Sequence, residues 1–349
     1  MILQNINREI ENEYNNRRIK AGNEKQVRLG KLYSEIPAIE ETDRRINALG
    51  FLMGYAVMGT RPPARLIEGL PEYFLGMSQA QLNAEICKLE DYKKTLITDA
   101  GYKSDYMDDV YICGICHDTG FVQENGIQTA CTCRREMLAH KLKKAAGISP
   151  YDAFDKFNSG FYPDTADQEK YGAEAPPRVL MEAAYKICLR FAENFDDPEV
   201  KNMIFAGSTG LGKTFLANCI INYLTDRGVS CLYTSASSLF KPFAPGFYAD
   251  DSAAEKADFI LTCELLVIDD LGSEKQTDTR YSALLDILNA RSVRKNSHRC
   301  KTIITTNLTP RDIYAYYGER VASRIIGEYA LLKFAGDDIR FKRKILPHD

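Results

Sequence analysis

The chain has 349 residues, 45% of them hydrophobic and 27% charged, and its 45 lysines and arginines against 48 acidic residues leave a net charge of −3. That length exceeds one ordinary core, so two or three folding units are expected. The charge excludes a global positive field that would draw the whole molecule onto nucleic acid, so any such contact must be local.

The opening residues, Met1-Ile2-Leu3-Gln4-Asn5-Ile6-Asn7-Arg8-Glu9, lack a basic stretch followed by an apolar run. No secretory signal is therefore expected, and cytoplasmic residence is the default. From 1 to about 110 the pattern is helical: Ile6 and Ile10 are spaced by four, with Glu9, Glu11, Glu13, Arg17, Arg18 and Lys20 supplying a polar face. Pro37 breaks the first run and Pro62-Pro63 marks a connection, after which Leu75, Leu82, Ile86, Leu89, Tyr92 and Leu96 recur at helical spacing. The longest apolar stretch, Ala48 to Met58, falls short of the ~18 to 20 residues a bilayer span requires and reads as a buried helix.

Residues 111 to 133 are short, glycine-rich and carry Cys113-Gly114-Ile115-Cys116 and Cys131-Thr132-Cys133, with fourteen residues between the pairs. Four soft thiolates so clustered suit tetrahedral zinc, which substitutes for a core too small to form by itself. The second pair is tighter than the usual C-x2-C, so an iron–sulfur cluster or a redox pair stays open, and His117 and His140 are alternative ligands. Arg134 and Arg135 are placed to offset the negative charge of a tetrathiolate site. The other cysteines, at 87, 188, 219, 231, 263 and 300, read mostly as buried small hydrophobes.

A basic helix is expected from Met137 to Ala146, and the proline-rich stretch 150 to 177 reads as a linker or irregular lead-in. Beyond 178 the pattern alternates. Helices are predicted at 178–195, 214–226 and 279–294, and short apolar strands at Met203–Ala206, Val229–Thr234, Leu265–Ile268 and Thr302–Thr306. Alternation of this kind predicts a parallel sheet with helices on both faces.

Between the first of these strands and its helix lies Gly207-Ser208-Thr209-Gly210-Leu211-Gly212-Lys213-Thr214, a full match to G-x-x-x-x-G-K-[ST]. Its glycines let the backbone aim successive N–H groups at phosphate oxygens, and the following helix adds its positive end. Lys213 is expected to reach the β- and γ-phosphates of ATP, and the Thr214 hydroxyl to ligate Mg²⁺. The strand Leu265-Leu266-Val267-Ile268 ends in Asp269-Asp270. Asp269 is the candidate to hold Mg²⁺, and Asp270 stands where a glutamate commonly polarises the attacking water, so slow hydrolysis is expected. A third strand ends in Asn307, an amide able both to donate to and accept from a water beside the γ-phosphate.

Farther on come Gly318-Glu319-Arg320-Val321-Ala322-Ser323-Arg324 and then Asp337-Asp338-Ile339-Arg340-Phe341-Lys342-Arg343-Lys344. Arginines there can stabilise charge on a transferring phosphoryl group, in cis or from a neighbouring subunit. The segment 291–301 holds Arg291, Arg294, Lys295, Arg299 and Lys301 with no acidic residue, and reads equally as the best local patch for nucleic-acid phosphates or as a solvated helix end whose cations complement the dipole. Phe240, Phe243, Phe247 and Tyr248 are candidates for stacking on single-stranded DNA or for plain packing.

The phosphate loop, the acidic strand with its trailing Leu271-Gly272, the Thr305-Thr306-Asn307 strand end and the Gly-Glu-Arg…Ser-Arg segment occur together in one order. In this, residues 178 to 345 resemble the AAA+ ATPase module of the DnaC/DnaI helicase loaders, which the transposition helper IstB also resembles. That resemblance implies an α/β fold: an AAA+ P-loop NTPase with a central parallel sheet, preceded by a helical amino-terminal domain with a small zinc-binding module. The implied division is 1–110 for partner binding, 111–147 for zinc, 148–177 as linker and 178–349 as ATPase. Asn307 becomes the sensor-1 residue, Arg320 or Arg324 an arginine finger, and Arg340 a sensor-2 arginine. The implied partners are a replicative DNA helicase, single-stranded DNA and further copies of the chain through the ATPase domain, with no membrane, and ATP acts as a switch in helicase loading. Two alternatives remain, an IstB-like transposition helper and a zinc-dependent nucleotide-binding adaptor with little hydrolysis.

Overall fold

A computed structural model describes residues 2–60, 62–63, 71–124, 126–243, 251–295 and 299–340. The chain divides into two units, Glu13–Thr119 and Met1–Asn12 with Gly120–Asp349.

The first unit is helical. Helix α1 (Ile2–Glu35), which belongs to this unit from Glu13 onward, stops before Pro37, which opens α2 (Pro37–Met58), and Ser78 caps α3 (Gln79–Asp99) with a reciprocal Ser78–Gln81 capping box. Leu49, Leu52, Phe74 and Leu82 form one small core, and Leu32, Ile39 and Ile97 another. Asp43 ties two elements, accepting from Tyr33 Oη at 2.8 Å and from Lys93 Nζ at 2.5 Å. The stretch 48–58, read from sequence as a buried helix, forms the second half of α2 and is buried on one face only. Leu49 and Leu52 face the core, while Phe51, Val57 and Met58 are exposed. A 100°-wide stripe is all that one packed neighbour can cover.

The second unit begins with the hairpin β1 (Phe121–Glu124) and β2 (Ile127–Ala130), followed by α4 (Thr132–Ala145). Short helix α5 (Gln168–Tyr171) and the long α6 (Pro177–Glu193) precede a five-stranded sheet. In chain order come β3 (Asn202–Ala206), α7 (Lys213–Thr225), β4 (Cys231–Ser235), α8 (Ala236–Leu239), α9 (Asp251–Thr262) and β5 (Leu265–Leu271). Helix α10 (Asp278–Lys295), β6 (Lys301–Thr306), α11 (Pro310–Glu328) and β7 (Tyr329–Lys333) complete it. All four pairings are parallel, in the order β4-β5-β6-β3-β7. Strand β7, whose sequence Tyr-Ala-Leu-Leu-Lys lies against the edge of β3, has no counterpart in the sequence prediction.

Alternate residues of each strand feed opposite layers. Met203, Phe205, Val267 and Ile303 pack with α6 and α7, whereas Ile204, Leu266, Ile268 and Ile304 pack with α10 and α11. With both faces covered, the chemistry is left to the strand ends.

The stretch 148–177 is largely irregular, with residues 164–170 exposed and a few side chains anchored. Ile148 and Tyr162 are buried in the α6–α7 layer, and Asn222 Nδ2 donates to the carbonyls of Ser149 and Asp152 at 2.9 and 2.7 Å.

The basic segment 291–301 differs from its sequence reading. Arg291 is 2% exposed, its guanidinium donating to the carbonyls of Ile260, Cys263 and Lys301 and to Thr302 Oγ1 at 2.7–3.0 Å. Lys301 is buried with its ammonium on the carbonyls of Asp197 and Val200, and Arg299 pairs with Asp196 and Glu264. These three cations tie α10 and β6 to the end of α9 and to residues 196–200, and are engaged by the protein's own carbonyls and carboxylates. Residues 296–298 lie outside the described residues, as do Phe247 and Tyr248, while Phe240 is buried and Phe243 half-buried. Of the six scattered cysteines, 188, 219, 231, 263 and 300 are buried and Cys87 is exposed, and burial pushes the Cys219 thiol up to about 12.

Replacing Arg291 strands several buried carbonyls, each worth about 1–3 kcal/mol when left unpaired. Urea denaturation of Arg291→Ala should therefore show a loss of at least about 3 kcal/mol, against under about 1 kcal/mol for Arg299→Ala, whose ion pairs are solvated.

Candidate functional site: a phosphate cradle at the strand ends

The loop joining β3 to α7 takes a course only glycine tolerates. At Gly207, φ is 157° and a Cβ would lie 2.3 Å from the Phe334 carbonyl; at Gly210, φ is 77° and a Cβ would meet the Asp338 carboxyl at 2.1 Å. The loop lines a cavity of about 400 Å³ together with the ends of β5 and β6. Thr209, Gly210, Leu211, Gly212, Lys213, Thr214, Asp269, Asp270, Asn307 and Arg340 border it, so most of the sequence candidates converge on one space. Gly207 and Ser208 contribute their carbonyls to Lys213.

Lys213 is the hub. Its Nζ donates to Gly207 O at 2.5 Å, Ser208 O at 2.7 Å and Asn307 Oδ1 at 2.8 Å. The other end of the Asn307 amide, Nδ2, donates to Asp270 Oδ1 at 2.8 Å, so one side chain bridges a cation and a carboxylate, and that pairing sets its orientation. Burial lowers the Lys213 pKa to about 8 despite the attraction of Asp270 and Asp269.

Asp269 is held by hydroxyls. Thr305 Oγ1 donates to its Oδ1 at 2.6 Å and Tyr233 Oη to its Oδ2 at 2.5 Å, with Thr214 Oγ1 at 3.5 Å. The Thr305 hydroxyl also accepts the Asp270 N–H at 2.9 Å, and Asp270 itself has a φ of 58°, uncommon for a residue other than glycine. Burial, then the bond to Asp269, pushes the Tyr233 pKa well up, so the phenol stays a donor. Neither Tyr233 nor Thr305 stands out in the sequence. Their roles come from register, since Ser235 pairs with Asp269 and Ile304 with Ile268. The only available signal was the alternation of the Thr-Thr-Asn strand end.

The arginines separate. Arg340 lines the cavity, with its Nε on Asp338 Oδ1 at 3.1 Å, and its N–H on the same carboxylate lowers the Asp338 pKa. Phe341 to Lys344 lie outside the described residues. Arg320 and Arg324 are exposed on α11, away from the cavity lining, and Arg324 pairs with Glu328 at 2.5 Å. A break at Gly318 (φ 76°, ψ 175°) sets their half of α11 apart from the half beginning at Pro310. Just before it, Tyr317 Oη donates to the buried Glu274 carboxylate, which also accepts the Gly272 N–H at 3.0 Å.

The Sγ atoms of Cys113, Cys116, Cys131 and Cys133 lie within 4.8 Å of one another. Four thiolates at about 2.3 Å from one tetrahedral Zn²⁺ would stand under 4 Å apart, so the donor set fits that ion. Cys116 and Cys131 are buried, and the backbone N–H groups of Ile112 and Cys113 are held by the Asp118 carboxylate at 2.8 and 3.0 Å. Cys131 caps α4, whose positive end favours thiolates. Neither His117 nor His140 joins the cluster, and Arg134 is engaged by Glu11 at 2.6 Å.

No described helix is long and apolar enough to cross a membrane. No curated protein matches the chain. Among solved structures it is similar to DnaI (22% identity over 55% of this chain and 92% of that one, TM-score 0.42). It is likewise similar to a DnaC helicase loader (25% identity, 52% and 96%, TM-score 0.42) and to AMPPCP-bound DnaA from Aquifex aeolicus (19%, 57% and 56%, TM-score 0.42). A family model, that of the IstB-like ATP binding protein, matches residues 175–345. The match to the IstB-like ATP binding protein model thus falls on the part of the chain that carries the glycine loop, the acidic strand and Asn307.

Proposed function

We propose that the protein is an ATP-dependent helicase loader, in which ATP binding and slow hydrolysis switch its grip on a replicative helicase and on single-stranded DNA. The observation that carries the nucleotide part is the convergence of Lys213, Thr214, Asp269, Asp270, Asn307 and Arg340 on one cavity inside an IstB-like domain. The loading part rests on the order of motifs along the chain and on a helical unit and a cysteine cluster preceding the ATPase.

In this reading the loop amides take the phosphates, and Lys213 leaves the Gly207 and Ser208 carbonyls for a phosphate oxygen. Mg²⁺, held by Thr214 and through Asp269, would neutralise charge building on the β- and γ-oxygens. Asp270 accepts a proton from the attacking water, with Asn307 holding that carboxylate in place. Its shorter side chain and its bond to Asn307 favour slow turnover. Arg340 steadies the phosphates in cis, and Arg320 or Arg324 reaches the site of a neighbouring copy. Zinc bound by the four cysteines would hold the 113–133 segment in one conformation.

The family match favours a second reading, an IstB-like transposition helper. Affinity capture with the full chain in ATP separates the two: a hexameric helicase retained supports the loader, and a transposase retained in its place overturns it. Lys213→Ala should abolish ATPase activity; a wild-type rate no higher than that variant's favours the adaptor with little hydrolysis.

The Lys213 pKa gives a pH test. Phosphate contact favours the ammonium, so the bound pKa lies above the free value of about 8. ADP affinity measured by calorimetry should be flat below pH 8 and fall up to about tenfold per pH unit above it, with the slope absent in Lys213→Ala.

The protein as purified should hold close to one equivalent of zinc. A chelator, or Cys116→Ser, should expose residues 111–133 to proteolysis while leaving ADP binding intact.

A further inference from the structure

We propose that Tyr162 is a positioning residue of the phosphate cradle. Its hydroxyl donates to the Leu211 carbonyl at 3.0 Å and thereby turns the Gly212 N–H toward the phosphates. The inference rests on the nucleotide reading above. Tyr162 lies before the 175–345 family match, so that match assigns it nothing.

A trans peptide points its C=O and its N–H in opposite directions. Leu211 O and Gly212 N–H belong to one peptide, so whatever holds the carbonyl aims the amide. Tyr162 is 3% exposed and does not border the cavity, whereas Leu211 and Gly212 do. The hydroxyl therefore grips the loop from behind, and the amide faces forward. A Cβ on Gly212 would lie 2.8 Å from the Tyr162 oxygen, so the ring approaches this peptide too closely for any larger residue at 212.

The tyrosine is itself held. Its ring stacks with Phe157 at a centroid distance of 6.2 Å, its carbonyl accepts from Arg178 Nε at 3.2 Å, and Arg178 N–H donates to Pro163 O at 2.9 Å. The preceding peptide is treated the same way, with Ile339 N–H donating to Gly210 O at 2.9 Å. Two consecutive loop carbonyls are thus bonded by donors from outside the loop, leaving two consecutive amides for a ligand. Such preorganisation spares the ligand the ordering of the loop.

Tyr162→Phe keeps the ring and removes only the donor. Calorimetry on the full chain should give ADP and ATP affinities about tenfold weaker and equally so, the equivalent of one hydrogen bond. KM for ATP should rise by the same factor with kcat unchanged, since the amide contact is made in ground and transition states alike. In selectively ¹⁵N-glycine-labelled protein without nucleotide, the Gly212 amide resonance should shift. Phe157→Leu, which loosens the same packing and leaves the hydroxyl, should lower the melting temperature and leave KM alone. An unchanged KM in Tyr162→Phe, an equal KM rise in Phe157→Leu, or an unmoved Gly212 resonance overturns the proposal. Wild-type protein that binds neither ADP nor ATP overturns the nucleotide reading, and the Gly212 resonance then decides the Tyr162 claim alone.

Discussion

The parallel register of β3, β6 and β5 is what the site depends on. Ala206 pairs with Thr306, and Ile304 with Ile268, so three strands end at nearly the same level. Because both sheet faces are sealed by helices, the backbone groups and side chains past those ends are the ones that reach a ligand. Lys213, Asn307 and Asp270 then form a continuous chain of contacts among residues far apart in sequence. A one-residue slip of β6 would turn Thr305 from Asp269 to the opposite layer and break that chain.

A cradle made of glycine is soft, and the surrounding structure supplies its shape. Tyr162 and Ile339 hold two of its carbonyls, Phe334 N–H donates to Ala206 O at 2.8 Å just before it, and Lys213 holds two more carbonyls from inside. The loop is thus fastened by the chain that precedes the five-stranded sheet and by the chain that follows it. The irregular stretch 148–162 is anchored to α6 and α7 by Ile148 and Tyr162, with Asn222 satisfying the Ser149 and Asp152 carbonyls.

The basic segment illustrates how a composition signal can mislead. A run of cations without acids reads as a phosphate patch, yet a guanidinium has five donors in a fixed fork and can serve equally well to cap buried carbonyls. Arg291 and Lys301 do so at the amino-terminal end of β6 and the end of α9, at the opposite end of the strands from the phosphate loop. The apolar run in α2 likewise gives a helix with one face packed and Phe51, Val57 and Met58 exposed.

Local patterns were enough for the features whose chemistry is contiguous: the glycine loop with Lys213 and Thr214, the acidic strand, Asn307 at a strand end, and the paired cysteines. Each needs its residues side by side, because a tight turn, a buried strand or a metal knuckle is built from neighbours. The tertiary structure alone decided that Thr305 and Tyr233 hold Asp269, that Arg340 borders the cavity while Arg320 and Arg324 do not, that β7 completes the sheet, and that Tyr162 backs the loop. Those roles are set by strand register and by packing between segments up to more than a hundred residues apart, and no periodicity in one segment encodes which distant group it will meet.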